Sequence, residues 1–253
     1  KSPLKNKVVL RSVFFVNNYL PKHIAIVMDG NGRWAQEKQL ERIDGHREGM
    51  ESMKTIIHAC AEKKIQVLSM FAFSSENWAR PKAEVDALMS LFFKAFDNEV
   101  EQLNENHVKL SFIGDLTRFK PELQQLMQAA MSKTVNNQGL HLVIAVNYGG
   151  QWDIVNATRE LARQVAKGEI GPDQIDQSIF EQYLCLVQQP YPDLFIRTSG
   201  EQRISNFFLW QTAYAELYFT NTYWPAFREV SLEQALEWYA SRQRCFGKIR
   251  EQL

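Results

Sequence analysis

Short apolar runs alternate with longer amphipathic stretches along most of the chain. Residues 24–28, Ile-Ala-Ile-Val-Met, form one such run, and it stops abruptly at Asp29. Comparable runs recur at 67–73, 109–113, 140–146, 193–197 and 216–220, each the length of a buried strand rather than a helix. Between them apolar residues return every three or four positions. Met50, Met53, Ile56, Ile57 and Cys60 predict a helix over 49–64. Val85, Leu88, Met89, Phe92, Phe93, Phe96, Val100 and Leu103 predict another over 83–105. The same period predicts helices over 121–135, 153–167 and 232–246. Strands alternating with helices on this scale imply an α/β single domain: a mainly parallel central sheet of about six strands flanked by helices. Residues 1–20 read as a basic N-terminal arm, and 21–253 as one undivided domain without repeat or linker.

Composition narrows the class of function. The 253 residues are 45% hydrophobic and 23% charged, an ordinary globular balance. Lys+Arg and Asp+Glu both number 29, which argues against nucleic acid as the main partner. Three widely spaced cysteines, Cys60, Cys185 and Cys245, show no zinc or disulfide spacing and fit a reducing compartment. No apolar run approaches the roughly 20 residues of a membrane helix, and the first residues lack a signal-peptide core. A cytoplasmic protein is expected.

Candidate chemistry gathers at the strand ends. Asp29-Gly30-Asn31-Gly32-Arg33 follows the first strand as a glycine-bearing turn, the place where open α/β sheets bind ligands. Glycines let a backbone approach closely, and free N–H groups at a helix start attract an anion. Asp29 would repel that anion unless a divalent cation lay between them. A metal-bridged phosphate or diphosphate site therefore stands beside a plain strand-to-helix turn. A dinucleotide fingerprint fits poorly: Arg33 and Trp34 crowd its close-packed half, and the region near Glu51, where an acidic strand end belongs, reads as helix. Four strands end in polar, Gly- or Ser-containing turns, which parallel strands would align along one edge. Asp29, Arg33, Arg42, His46, Ser74, Asn77, Arg80, Arg197, Arg203 and Ser205 fall there. Several arginines aimed at one place would normally repel, and gathering them makes sense around a polyanion. Scattered solvated charges are the alternative.

Residues 23–35, His-Ile-Ala-Ile-Val-Met-Asp-Gly-Asn-Gly-Arg-Trp-Ala, resemble the signature of cis-prenyltransferases, the undecaprenyl diphosphate synthase family. Companion motifs follow in family order: Gly45-His-Arg47, Phe73-Ser-Ser-Glu-Asn-Trp78 with Arg80-Pro81, Asn147-Tyr-Gly-Gly150, Arg197-Thr-Ser-Gly-Glu201 and Arg203-Ile-Ser-Asn-Phe207. The resemblance runs from about residue 21 to 247. It implies repeated cis-condensation of isopentenyl diphosphate onto farnesyl diphosphate, giving undecaprenyl diphosphate, the lipid carrier for cell-wall polysaccharides. It assigns Gly30, Asn31, Gly32 and Arg33, with Arg42 and His46, to the allylic diphosphate, and counts Trp34 among the substrate-binding residues. It assigns Arg197, Arg203 and Ser205, with Arg80, to isopentenyl diphosphate. Ser74, Ser75, Glu76, Asn77 and Trp78 would position substrate, Asn77 among the catalytic residues. Asp29 would carry Mg²⁺, with Glu216 as a second metal residue, and the helix over 83–105 would line a hydrophobic tunnel.

Ten large apolar side chains in residues 207–224 exceed what one short strand readily buries, which fits either a subunit interface or closure of the core behind the last strand; the resemblance implies a homodimer joined through this region and the terminal helix. A shorter- or longer-chain cis-prenyl diphosphate synthase and a non-catalytic scaffold subunit of the same fold are the competing readings, but such scaffold subunits lose the Asp and the Arg-x-x-x-x-x-Arg-x-Ser pattern kept here. Helical prenyltransferases use Asp-Asp-x-x-Asp clusters, and no Asp-Asp pair occurs. One departure lies near the end, where Cys245 replaces the second residue of the family's basic pair before Phe246-Gly247.

Overall fold

The computed structural model describes residues 20–242, apart from the side chains of residues 93 and 95–98. Six strands form one sheet: β1 (His23–Val27), β2 (Val67–Ser74), β3 (Lys109–Ile113), β4 (His141–Tyr148), β5 (Leu194–Arg197) and β6 (Glu216–Phe219). Their order is β3-β4-β2-β1-β5-β6, and every pairing is parallel. Central strands of such a sheet are covered on both faces, so β1 is apolar from Ile24 onward and all five of its residues, His23 included, are buried.

Helices α1 (Asn31–Glu37), α2 (Arg42–Glu62), α3 (Lys82–Glu105), α4 (Pro121–Thr134), α5 (Gly150–Ala166), α6 (Gln177–Glu181) and α7 (Glu229–Ala240) fill the connections. Alternate residues of β1 feed two cores. Ile24 and Ile26 pack with Ile56 of α2, Leu88 of α3, Met127 of α4 and Leu236 of α7. Ala25 and Val27 pack on the other face with Tyr148, Phe195, Phe207 and Phe208.

Two differences from the predicted elements bear on the site. The helix expected from residue 49 starts at Arg42, and α1 precedes it. Both segments are polar and glycine-bearing, so they carry little apolar period to read. They pack by close backbone approach instead: a Cβ on Gly45 would lie 2.0 Å from the Asn31 carbonyl oxygen, and one on Gly49 would lie 2.3 Å from Asn31 Oδ1. The helix expected over 232–246 runs Glu229–Ala240, and residues 243–246 lie outside the described residues, as do the basic arm and Cys245.

Candidate active site

Strand order alone picks out a crevice. The chain leaves β1 toward β2 on one side and leaves β5 toward β6 on the other, so the carboxyl ends of β1 and β5 form the switch point where such sheets bind ligands. Val27 pairs with Arg197 in register, which sets the turn after β1 beside the turn after β5. The Thr198 hydroxyl stitches the two together, accepting from the Asp29 N–H at 2.9 Å and lying 2.7 Å from the Asp29 carbonyl oxygen. Gly30 turns the chain into α1 at φ 101°, a conformation a side chain would strain.

Asp29 and Arg197 form the centre. Asp29 Oδ2 accepts from Arg197 Nη2 at 2.9 Å, and Oδ1 accepts from the Gly30 N–H at 2.7 Å. The Arg197 side chain is 4% exposed, so this pair is shielded more than a surface bridge. Its other end donates to the Arg203 carbonyl oxygen at 2.7 Å and to the Ser205 hydroxyl. Arg33 leans over from α1, donating to the Ser199 carbonyl and hydroxyl and pairing with Glu201 at 3.1 Å.

From the other side come α2, β2 and α3. Glu84, in the first turn of α3, holds Arg42 at 3.0 Å and Arg80 at 3.1 Å with one oxygen. Burial, helped by nearby Arg80 and Arg42 against the pull of Glu84, lowers the pKa of His46 to about 4, so its ring is neutral at pH 7. Asn77 closes the turn after β2 by accepting from the Ser74 N–H at 3.1 Å. Burial raises the Glu76 pKa, but hydrogen bonds from Asn206, its own backbone, Ser74 and Ser75 outweigh this and leave it lowered.

These elements enclose a cavity of about 640 Å³. Asp29, Gly30, Asn31, Gly32, Arg33, Arg42, His46, Ser74, Glu76, Asn77, Arg80, Arg197 and Ser205 all line it, as the sequence suggested. Away from them the wall turns apolar with Met50, Met53, Leu88, Leu91 and Phe92. A second cavity of about 330 Å³ lies between α2 and α3 and shares Met50 and Met53 with the first. Among the described residues, three buried side-chain polar atoms have no partner: Asn31 Oδ1, His46 Nε2 and Arg197 Nε. All three belong to residues of the larger cavity. Unmet buried polar groups are costly, and a polar guest or water in the cavity would lower that cost.

Five sequence-derived candidates stand elsewhere. Trp34 carries Lys38 over its ring at 5.0 Å and is not a cavity wall. Trp78 is a packing residue: its indole donates to Asn147 Oδ1 at 2.8 Å, and its ring meets Phe73 and Phe119. Ser75 lies against Gly149, supporting Glu76. The exposed Arg203 side chain pairs with Glu201. Glu216 pairs in register with Leu194, at the opposite end of β5 from Arg197, and bonds Arg242 at 3.2 Å. One chain therefore does not bring Glu216 to Asp29.

Other residues emerge only from the geometry. Asn206 ties three loops together: its side chain donates to Glu76 at 2.8 Å and accepts from Gln151 N–H at 2.9 Å, while its carbonyl accepts from Gly150 N–H. It sits in the Arg-Ile-Ser-Asn-Phe motif, which was the available signal. Glu84, Met50 and Met53 carry no such mark and read as helix surface and core.

No group of three or more His, Cys, Asp or Glu able to cage a metal exists among the described residues. Mg²⁺ needs no such cage, since it takes one or two carboxylates and fills its shell with phosphate oxygens and water. Asp29, side chain 31% exposed at the polar end of the cavity, fits that pattern.

Arginines at one end of the cavity and apolar residues at the other suit a ligand with an anionic head and an apolar tail. Comparison with known proteins gives the family. Residues 27–247 match the prenyltransferase family model described as "Putative undecaprenyl diphosphate synthase". The ditrans,polycis-undecaprenyl-diphosphate synthase ((2E,6E)-farnesyl-diphosphate specific) of Legionella pneumophila is 53% identical over 236 residues, covering 93% of this chain and 99% of that one. The enzyme of the same name from Pseudomonas aeruginosa is 50% identical over 234 residues, covering 92% and 93%. The crystal structure of lavandulyl diphosphate synthase from Lavandula x intermedia, in complex with dimethylallyl diphosphate, superposes with a TM-score of 0.88 at 39% identity, covering 91% and 99%. The chain belongs to the undecaprenyl diphosphate synthase family of prenyltransferases.

Proposed function

We propose that this chain condenses isopentenyl diphosphate repeatedly, in cis geometry, onto farnesyl diphosphate to give undecaprenyl diphosphate. The observation that carries the reading is one cavity with unpartnered buried polar atoms and arginines at one end and apolar residues at the other, next to a second cavity that shares Met50 and Met53. Relatives at 50–53% identity that are named as farnesyl-diphosphate-specific synthases support it. In each cycle a bond forms between C1 of the allylic chain and C4 of isopentenyl diphosphate. The allylic diphosphate leaves, and a proton is lost from C2.

The turn from Gly30 to Arg33, with Arg42 and His46, holds the allylic diphosphate. Arg197, Ser205 and Arg80 face the isopentenyl diphosphate, with Arg203 at the loop's outer edge. The Arg197–Asp29 contact sets these two pockets against each other, so the reacting carbons meet at the Asp29 end of the cavity. Mg²⁺ at Asp29 would neutralise charge developing on the leaving diphosphate. The growing chain passes Met50 and Met53 into the second cavity as a hydrophobic tunnel. Residues 21–253 serve as one catalytic domain, working in the cytoplasm as a homodimer and delivering a lipid product that must reach a membrane. No described helix is long and apolar enough to cross one.

The test supplies farnesyl diphosphate, isopentenyl diphosphate and Mg²⁺, follows diphosphate release and sizes the extracted product. Asp29→Asn is the informative variant because it keeps an acceptor for Arg197 while removing the charge. Turnover should fall at least about a hundredfold, the several kcal/mol that a bound metal supplies, with melting near wild type. Near-normal turnover in the folded variant would remove Asp29 from the metal role.

A further inference from the structure

Among the described residues, two charged ties join α2 to α3. At the mouth of the larger cavity Glu84 holds Arg42, where a bound diphosphate would compete for the same arginine. Twelve residues further along α2, about 18 Å by helix rise, Lys54 forms the second tie. Its Nζ lies 2.9 Å from Glu99 of α3 and 3.0 Å from Glu51 of its own helix. Hydrogen bonding to Glu99 is the largest influence on Lys54 and raises its pKa, so the ammonium stays charged.

What distinguishes this pair from an ordinary exposed bridge is its neighbour. Lys54 and Glu99 both line the second cavity, whose floor is Ile57, Leu103, Leu110 and Leu142. Exposed pairs contribute little in water. Hydrocarbon filling the space beside this one would displace water, lower the local dielectric and strengthen the attraction. The tie would then tighten as the cavity fills.

We propose that the Lys54–Glu99 bridge determines product length, holding α2 and α3 closed over the far cavity and so limiting how many isoprene units the chain accepts. This rests on the elongation reading above. With the bridge closed, the tail meets a side wall spanning the two helices. With it broken, the helices can part sideways and the tail keeps a place to go, so further condensations continue.

Product sizing by mass spectrometry under excess isopentenyl diphosphate tests this. Lys54→Ala and Glu99→Ala should each move the main product at least one five-carbon unit longer, with the rate of the first condensation within about twofold of wild type. The charge-reversed double variant, Lys54→Glu with Glu99→Lys, should bring the distribution back. Near-ultraviolet circular dichroism checks that each variant is folded. Unchanged or shorter products in the two single variants overturn the proposal. So do longer products that the reversed pair fails to correct, since loosening alone would then explain them. Wild-type protein that makes no elongated product instead overturns the elongation reading, and the bridge's role falls with it.

Discussion

Arg197 and Arg203 look equivalent as letters in one motif, yet they occupy different physical situations. Arg197 is almost wholly buried and holds Asp29, Ser205 and the Arg203 carbonyl, whereas the Arg203 side chain is 60% exposed on Glu201. Removing Arg197 strands the Asp29 carboxylate, a loss toward the low end of the roughly 3–5 kcal/mol that breaking a buried pair costs, because Asp29 is partly solvated. Arg203→Ala should cost no more than about 0.5 kcal/mol. Both variants should bind isopentenyl diphosphate about ten- to a hundredfold more weakly, one charge-assisted contact being worth roughly 1.5–3 kcal/mol. Denaturant unfolding beside a binding titration separates the two effects. Equal loss of stability in both would contradict Arg197 as the internal brace.

At the scale of elements, α1 and the first turns of α2 carry half of the proposed anion-binding loop, and glycine lets them meet. Alanine in a helix interior is ordinarily favoured over glycine by about 1 kcal/mol. At Gly45 the sign should reverse, because the new Cβ would sit 2.0 Å from the Asn31 carbonyl oxygen and 3.1 Å from Ala35 Cβ. Backbone shift at such a contact costs about 1–3 kcal/mol. For a chain of this size Gly45→Ala should lower the melting temperature by roughly 2–10 °C. Calorimetry reads this directly, and a rise would show that α1 is free to move away.

For the molecule as a whole, the apolar surplus after Ser205 divides in two. Phe207, Phe208 and Trp224 are fully or almost fully buried and close the two cores. Tyr214, just before β6, is 75% exposed, and Leu217 within β6, the strand that ends the sheet, is 40% exposed. An exposed strand edge with aromatic and aliphatic neighbours is a surface proteins usually cover. The proposed homodimer would cover it, and sedimentation at low micromolar concentration should give twice 29.4 kDa. Leu217→Lys should shift the mixture toward monomer. A wild-type monomer with full activity would sink the dimer.

Much of this protein could be read from local pattern. All six strands and their parallel arrangement followed from run length and alternation with helices, because a strand buried on both faces is apolar over most of its length. Most of the polar strand-end residues met in one cavity, since parallel strands put their carboxyl ends on one edge. Other features needed the third dimension. α1 and the start of α2 hold together through glycine contacts with Asn31, which leave no periodic mark. Trp78, Ser75, Trp34 and Glu216 sit in or near motifs, but burial and register decide whether a side chain meets the cavity, a ring or another charge. Glu84, Met50, Met53, Lys54 and Glu99 are ordinary helix residues in sequence. Only the packing of α2 against α3 made them walls and ties, because a cavity is a property of two surfaces facing each other and belongs to neither segment alone.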